Sequence, residues 1–224
     1  MQAGIADTML AKVIVFGENC PILRANGRRL MMHARGSISK KFPHAVCEAQ
    51  IPADTKQLLF EREILPLPKA EPKKILLIGD TGCRIVVRPD GTTKIQDCNE
   101  PSKWPFAKIA KSAAAWQPDL VIHVGDYHYR ESPCPEGNVK CAGATSGDNW
   151  QSWREDFFSP AAPLLHAAPW IFVRGNHELC KRSGNAWFKF FDPRDFPNHC
   201  TDKTDPYLVS LGDHKIAVVD AAND

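Results

Sequence analysis

Three apolar runs of strand length end in the same way, and that repetition limits the fold more than any other feature of the chain. "KILLIGD" (Lys74 to Asp80), "DLVIHVGD" (Asp119 to Asp126) and "PWIFVRGN" (Pro169 to Asn176) each break at a glycine followed by a short side chain bearing an oxygen. Unbroken apolar runs of this length suit strands buried on both faces of a parallel sheet. Between the first two lies "WPFAKIAKSAAAW", apolar at helical spacing, with Pro105 in its first turn. The helical stretches "NWQSWREDFF" and "PAAPLLHAA" separate the second from the third. Strand, helix, strand predicts βαβ units of the α/β class, in which ligands gather at the carboxyl ends of the strands. Asp80, Asp126 and Asn176 stand at those ends.

Gly-Asp is a common turn dipeptide, so each occurrence has to be judged by its surroundings. Gly147-Asp148 follows polar loop residues, and Asp148 or Asn149 suits the cap of the next helix. Gly212-Asp213 lies between "PYLVSL" and "HKIAVVD", where a two-residue hairpin turn is the better reading. Gly79-Asp80, Gly125-Asp126 and Gly175-Asn176 instead follow apolar strands and lead towards helical segments. Two carboxylates, an amide and the phenol and imidazole nearby form a donor set for a hard metal ion such as iron, manganese or zinc.

Residues 1 to about 64 read differently: short apolar runs are separated by turn residues, with Asn26-Gly27 placed as a hairpin turn. Pro66, Pro68 and Pro72 then mark a stiff connector. The expected organisation is a small β-rich domain with its linker over 1–72, preceding an α/β domain over 73–224. The net charge of +2, with scattered lysines and arginines, gives no electrostatic footprint for nucleic acid. No apolar run approaches the roughly 20 residues of a spanning helix, and the opening residues lack the pattern of a signal peptide. The eight cysteines contain no C-x-x-C pair, which favours disulfides over zinc. Spacing leaves many connectivities open to eight cysteines, and pairing by neighbours, Cys20 with Cys47, Cys83 with Cys98, Cys134 with Cys141 and Cys180 with Cys200, is one of them. Such bridges imply a secreted or periplasmic protein.

The motifs "GDTG" at Gly79, "GDYHY" at Gly125 and "GNHE" at Gly175 resemble, in order, those of the calcineurin-like metallophosphoesterases. Within that superfamily the chain is most similar to the purple acid phosphatase branch. Gly82 stands where most members carry a ligand histidine, and Tyr129 follows Asp126 at the G-D-x-x-Y spacing. The resemblance covers residues 74 to 224 and implies layered β-sheets flanked by helices. It implies two metal ions, Fe(III) plus Fe(II), Zn(II) or Mn(II), with Asp126 bridging, Asp80 and Tyr129 on the first and Asn176 on the second. The implied activity is hydrolysis of a phosphoester, with water activated for in-line attack. His177 would meet the phosphate or protonate the leaving alcohol, and Glu178 would orient His177.

His123 reads as a core residue, Tyr127 as packing, and the aromatic run Trp187 to Phe191 as a packed helix. His128 is left open between loop and substrate cleft. The V-x-x-H and G-H-x-H motifs that complete the superfamily pattern have no counterpart here. The expectation is therefore an incomplete catalytic domain, inactive by itself, with a non-catalytic binding protein on a degenerate scaffold as the alternative. Substrate and oligomeric state are not legible.

Overall fold

Short apolar runs divided by turn residues make the first 65 residues almost wholly extended. They carry β1 (Gln2–Ala3), β2 (Met9–Phe16), β3 (Ile22–Ala25), β4 (Arg28–Met31), β5 (His33–Ala34), β6 (His44–Ile51), β7 (Leu58–Phe60) and β8 (Glu63–Leu65). Asn26 and Gly27 turn β3 into β4 with φ of 49° and 79°, the left-handed pair that a two-residue hairpin requires. The chain then alternates. β9 (Ile75–Ile78) leads to the hairpin of β10 (Ile85–Val87) and β11 (Thr93–Ile95), then α1 (Phe106–Ala115) and β12 (Leu120–His123). α2 (Trp150–Trp153) runs through a π-turn, Arg154–Phe158, into α3 (Ser159–Ala167). β13 (Trp170–Phe172), α4 (Gly184–Phe190) and the hairpin of β14 (Tyr207–Leu211) and β15 (His214–Val218) follow. This computed structural model describes residues 1–223.

The main sheet has seven strands in the order β5-β6-β2-β1-β13-β12-β9. β9, β12 and β13 are parallel, and their registers place Ile78, His123 and Phe172 level with one another. The three glycine-terminated ends therefore open on one rim. β1 pairs antiparallel with β2 and parallel with β13, so strands from the 1–72 segment continue the sheet of the α/β segment. A separate four-stranded sheet, β4-β3-β7-β8, covers β2 and β6 through a cluster that includes Leu23, Cys47 and Leu58.

Burial follows from these neighbours. On one face of the parallel strands, Trp153, Phe157, Trp170, Phe172, Phe190 and Phe191 form an aromatic layer with the helices. The aromatic run in α4 belongs to this layer, and its rings pack among the buried side chains. On the other face Leu120 and Ile171 meet Val209, Leu211 and Val218 of the last hairpin. The expectation of burial on both faces holds for β12 and β13 and is corrected for β9. As an edge strand β9 has a single neighbour, and Leu77 remains 65% exposed.

All four neighbour pairs of cysteines are bridged: Cys20–Cys47, Cys83–Cys98, Cys134–Cys141 and Cys180–Cys200. Among the described residues no helix is long and apolar enough to cross a membrane. The proline-rich connector is tied down by one carboxylate. Asp119 accepts from Lys69 Nζ at 2.5 Å and from the backbone N–H groups of Lys73 and Lys74 at 2.8 and 3.0 Å. Lys69 first, then the two amides, hold its carboxyl at about 2, below the ordinary value. The tie is therefore in full force above roughly pH 4 and is lost as pH falls towards 2. Asp119→Ala is expected to free the connector at neutral pH, read as faster tryptic cleavage after Lys69, Lys73 and Lys74 with the rest of the chain still protected.

Candidate active site

The rim is assembled by backbone approaching backbone. Gly125 has φ +105°, and a Cβ there would lie 2.6 Å from both Cα and N of Gly175. A Cβ on Gly175 would in turn meet Asp126 Oδ1 at 2.2 Å. Only glycine fits either position, so the ends of β12 and β13 close to a distance that no other residue type allows. The end of β9 is stitched on by two bonds, Asp80 N–H to Gly125 O at 3.1 Å and Thr81 N–H to Asp126 O at 3.0 Å. Asp80 and Asp126 themselves take φ of 53° and 63°. Positive φ at a non-glycine residue carries a backbone cost, of the kind found where side-chain placement matters.

The result is a triangle of oxygens. The Tyr129 hydroxyl lies 2.5 Å from Asp80 Oδ1 and 2.8 Å from Asp126 Oδ2. Burial, followed by these two carboxylates, drives the Tyr129 hydroxyl well above its ordinary pKa. Yet the hydroxyl has one proton to offer and two acceptors to satisfy. A hard cation among the three oxygens would relieve the carboxylate repulsion that a single proton cannot, and oxygen donors of this type suit such an ion. The residues present thus fit part of a metal site. Among the described residues no group of three or more His, Cys, Asp or Glu forms a metal cluster, so the match rests on two carboxylates and the phenol. Asn176 opens the short helix Asn176–Glu178, is exposed, and makes no side-chain hydrogen bond to the triangle.

Gly82 explains why no histidine occupies its position. A Cβ there would lie 2.7 Å from Tyr129 N and 2.9 Å from Tyr129 Cδ2, so the tyrosine ring takes the space a side chain at residue 82 would need.

Two buried carboxylates hold the loops. Glu178 accepts from the amides of Asp126 and Tyr127 at 2.9 Å, Gly175 at 3.1 Å and His128 at 3.3 Å. Burial and then the Asp126 charge push its carboxyl up to about 8, against these amides, which favour the ionised form. Its role differs from the expected orientation of His177: it ties the loop after β12 to the loop after β13. Asp156, turned inwards from the π-turn, accepts from the amides of Cys83, Tyr129 and Arg130 and from Arg130 Nε at 2.6 Å.

His177 is buried, and its N–H donates to Asp126 Oδ1 at 3.1 Å. Its Nδ1 lies 2.6 Å from Glu131 Oε1 in a close contact without good hydrogen-bond alignment, and Arg182 Nε approaches the same oxygen at 3.2 Å. Burial alone would raise Glu131, but His177 and then Arg182 outweigh it and hold the carboxyl below its ordinary range. Glu131, Asp156 and Arg182 were not legible as site residues. Glu131 lies just beyond the G-D-x-x-Y motif with no spacing rule to mark it, and the other two arrive from distant turns.

The open histidine resolves as structural. His128 is buried, lies 2.6 Å from Ser152 Oγ and stacks on Trp153, and burial lowers it to about 3. His123 is buried against Tyr127 and 2.9 Å from Thr81 Oγ1, and burial lowers it also to about 3. Both stay neutral at ordinary pH. Tyr127 is fully buried and donates to Val173 O at 2.8 Å.

With this geometry in place, the comparisons decide the family. The family model for calcineurin-like phosphoesterase matches residues 73–222. The chain belongs to the calcineurin-like phosphoesterase family. It is 25% identical over 161 residues to purple acid phosphatase 23 of Arabidopsis thaliana, a match covering 66% of this chain and 30% of that protein. It is also similar to the structure of purple acid phosphatase PPD1 from yellow lupin (Lupinus luteus) seeds, with a TM-score of 0.41 and 14% identity over 79% of this chain and 35% of that one. The chain thus spans about a third of the length of these relatives.

Glu178→Gln would set an amide donor against backbone donors in a buried nest. It is expected to destabilise the fold by about 1–3 kcal/mol, seen in urea melts, with faster hydrogen exchange at the amides of residues 126–128.

Proposed function

We propose that this chain supplies part of the active site of a metal-dependent phosphoester hydrolase with a dinuclear centre. The observation that carries the reading is the convergence of Asp80, Asp126 and Tyr129 around one proton at the carboxyl ends of parallel strands. In this reading Asp80 and Tyr129 would hold one ion, Asn176 would help to hold a second, and Asp126 would contribute to both. Residues 73–224 form the catalytic unit, and the β-rich 1–72 segment supports it by extending its sheet. Phenolate favours a strongly charged hard cation, so Fe(III) is assigned beside Tyr129, with Fe(II), Zn(II) or Mn(II) as its companion. When bound, such ions supply charge neutralisation on the phosphoryl oxygens and acidify water.

The chain's own residues do the rest. Asp126 accepts the His177 N–H with Oδ1 and faces Tyr129 with Oδ2, so both its oxygens are fixed in direction. Glu131 engages Nδ1 of His177, which leaves Nε2 as the nitrogen able to meet a phosphate oxygen or pass a proton to the leaving alcohol. Arg182 steadies Glu131 through the same oxygen. Glu178 and Asp156 keep the loops from moving apart as substrate charge arrives. The four disulfides support an oxidising, secreted or periplasmic setting.

Metal analysis and absorption spectroscopy of the complete protein test the metal assignment. A visible charge-transfer band, lost in Tyr129→Phe, is expected; a colourless zinc or manganese enzyme untouched by that substitution overturns it. His177→Ala is expected to lower kcat by about 100-fold or more, with Glu131→Gln giving a smaller loss and a displaced pH–rate profile. Unchanged turnover in His177→Ala would remove the histidine from the mechanism.

A further inference from the structure

We propose that the cleft beside Asp80 and Tyr129 receives a second anionic group of the substrate, with Arg84 and Lys94 as its cationic wall. The inference rests on the phosphoesterase reading above and narrows its substrate class to phosphoesters that carry a further phosphate or carboxylate.

The cleft has a volume of about 520 Å³ and is lined by Asp80, Gly82, Arg84, Lys94, Gln96 and Tyr129 among others. That volume is within the range of about 300–1,000 Å³ usual for small-molecule sites. The Arg84 guanidinium carbon sits 4.6 Å from the centroid of the Tyr129 ring, so the cation lies over the residue whose hydroxyl belongs to the oxygen triangle. Elsewhere the well-buried arginines have carboxylate partners: Arg35 has Glu48, Arg130 has Glu155 and Asp156, and Arg174 has Asp220. Among the described residues neither Arg84 nor Lys94 forms a salt bridge, although Asp80 lines the same cleft. Two cations with no fixed carboxylate partner beside the oxygen triangle have donors to spare for an incoming anion, and a guanidinium fork matches phosphate or carboxylate in shape.

The wall is also held in place before any substrate arrives. Arg84 precedes β10 and Lys94 is in β11, where it pairs with Val86. The Cys83–Cys98 bridge closes the base of this hairpin. Gln96 N–H donates to Arg84 O at 2.8 Å, and Arg84 N–H donates to Gln96 Oε1 at 3.3 Å. The hairpin is joined to the metal-site loop by Ile85 N–H to Tyr129 O at 3.0 Å and Glu131 N–H to Ile85 O at 3.1 Å. The backbone that carries Arg84 and Lys94 therefore keeps a set position relative to Tyr129, and the Arg84 guanidinium is already over its ring, which reduces the ordering cost of binding.

Calorimetric titration of the chain with fructose 6-phosphate and fructose 1,6-bisphosphate, at one fixed concentration of Mn(II), tests the subsite. The bisphosphate is expected to bind about 10-fold more tightly, and the ratio of the two dissociation constants should fall to about 2 in R84Q/K94Q. K94Q alone changes an exposed side chain that the fold does not use, and should cut the ratio about threefold even if the double variant folds poorly. A ratio near 1 in the unmodified chain, or a ratio unchanged in K94Q and the double variant, overturns the subsite while leaving monophosphate binding and the phosphoesterase reading intact. Failure of both sugar phosphates to bind, with p-nitrophenyl phosphate also unhydrolysed by the complete protein, defeats the phosphoesterase reading and the subsite with it.

Discussion

Contact between the backbones of Gly125 and Gly175, with space for a Cβ on neither, is the constraint on which the site depends. Because these two strand ends touch, Asp126 lies directly against the turn that carries Asn176 and His177. The amide of His177 can then reach an Asp126 oxygen. A methyl group in that junction would push the loops apart, and the His177 amide, already 3.1 Å from Asp126 Oδ1, would leave the range of about 2.7–3.2 Å usual for such bonds. The positive φ of Asp80 and Asp126 belongs to the same economy of space: each chain must turn at once on leaving its strand, or its carboxylate would overshoot the rim.

Packing brings the loops together, and buried carboxylates keep them there. Glu178 and Asp156 spend nearly all their acceptor capacity on backbone amides from different loops. This compensates for burying charge, because several short N–H donors replace the water that each oxygen has lost. It also ties the metal-site loop to the aromatic layer, since the π-turn that points Asp156 inwards is continuous with helices whose Trp153 and Phe157 are fully buried. Two acidic side chains outside the oxygen triangle therefore govern its shape.

The N-terminal segment takes part in the same framework. β1 is only two residues long, yet it lies between β2 and β13 and carries the sheet from one segment into the other. Gln2 reaches Phe191 O with its side-chain amide at 2.6 Å, and buried Arg35 donates to Phe188 O while pairing with Glu48. The β-rich segment thus supplies hydrogen bonds to the end of α4 that the α/β segment does not provide for itself.

Local chemistry in the sequence determined the three parallel strands, their glycine breaks, the Asn26-Gly27 and Gly212-Asp213 hairpins, and a helix cap at Asp148 or Asn149, of which the structure uses Asn149. Period, turn propensity and residue type are written into short stretches, so these features are legible there. The cysteine connectivity was not fixed by spacing; the structure joins neighbours, each bridge closing a loop no longer than a supersecondary unit. Tertiary structure alone decided the continuation of the sheet through β1, the exposed face of β9 and the merging of two helical stretches through a π-turn. It alone also gave Glu131, Arg182 and Asp156 their places, and divided His128 from His177 in role. Those outcomes depend on which distant groups fill the space around a residue, and contact between groups tens of residues apart leaves no mark in the local pattern of either.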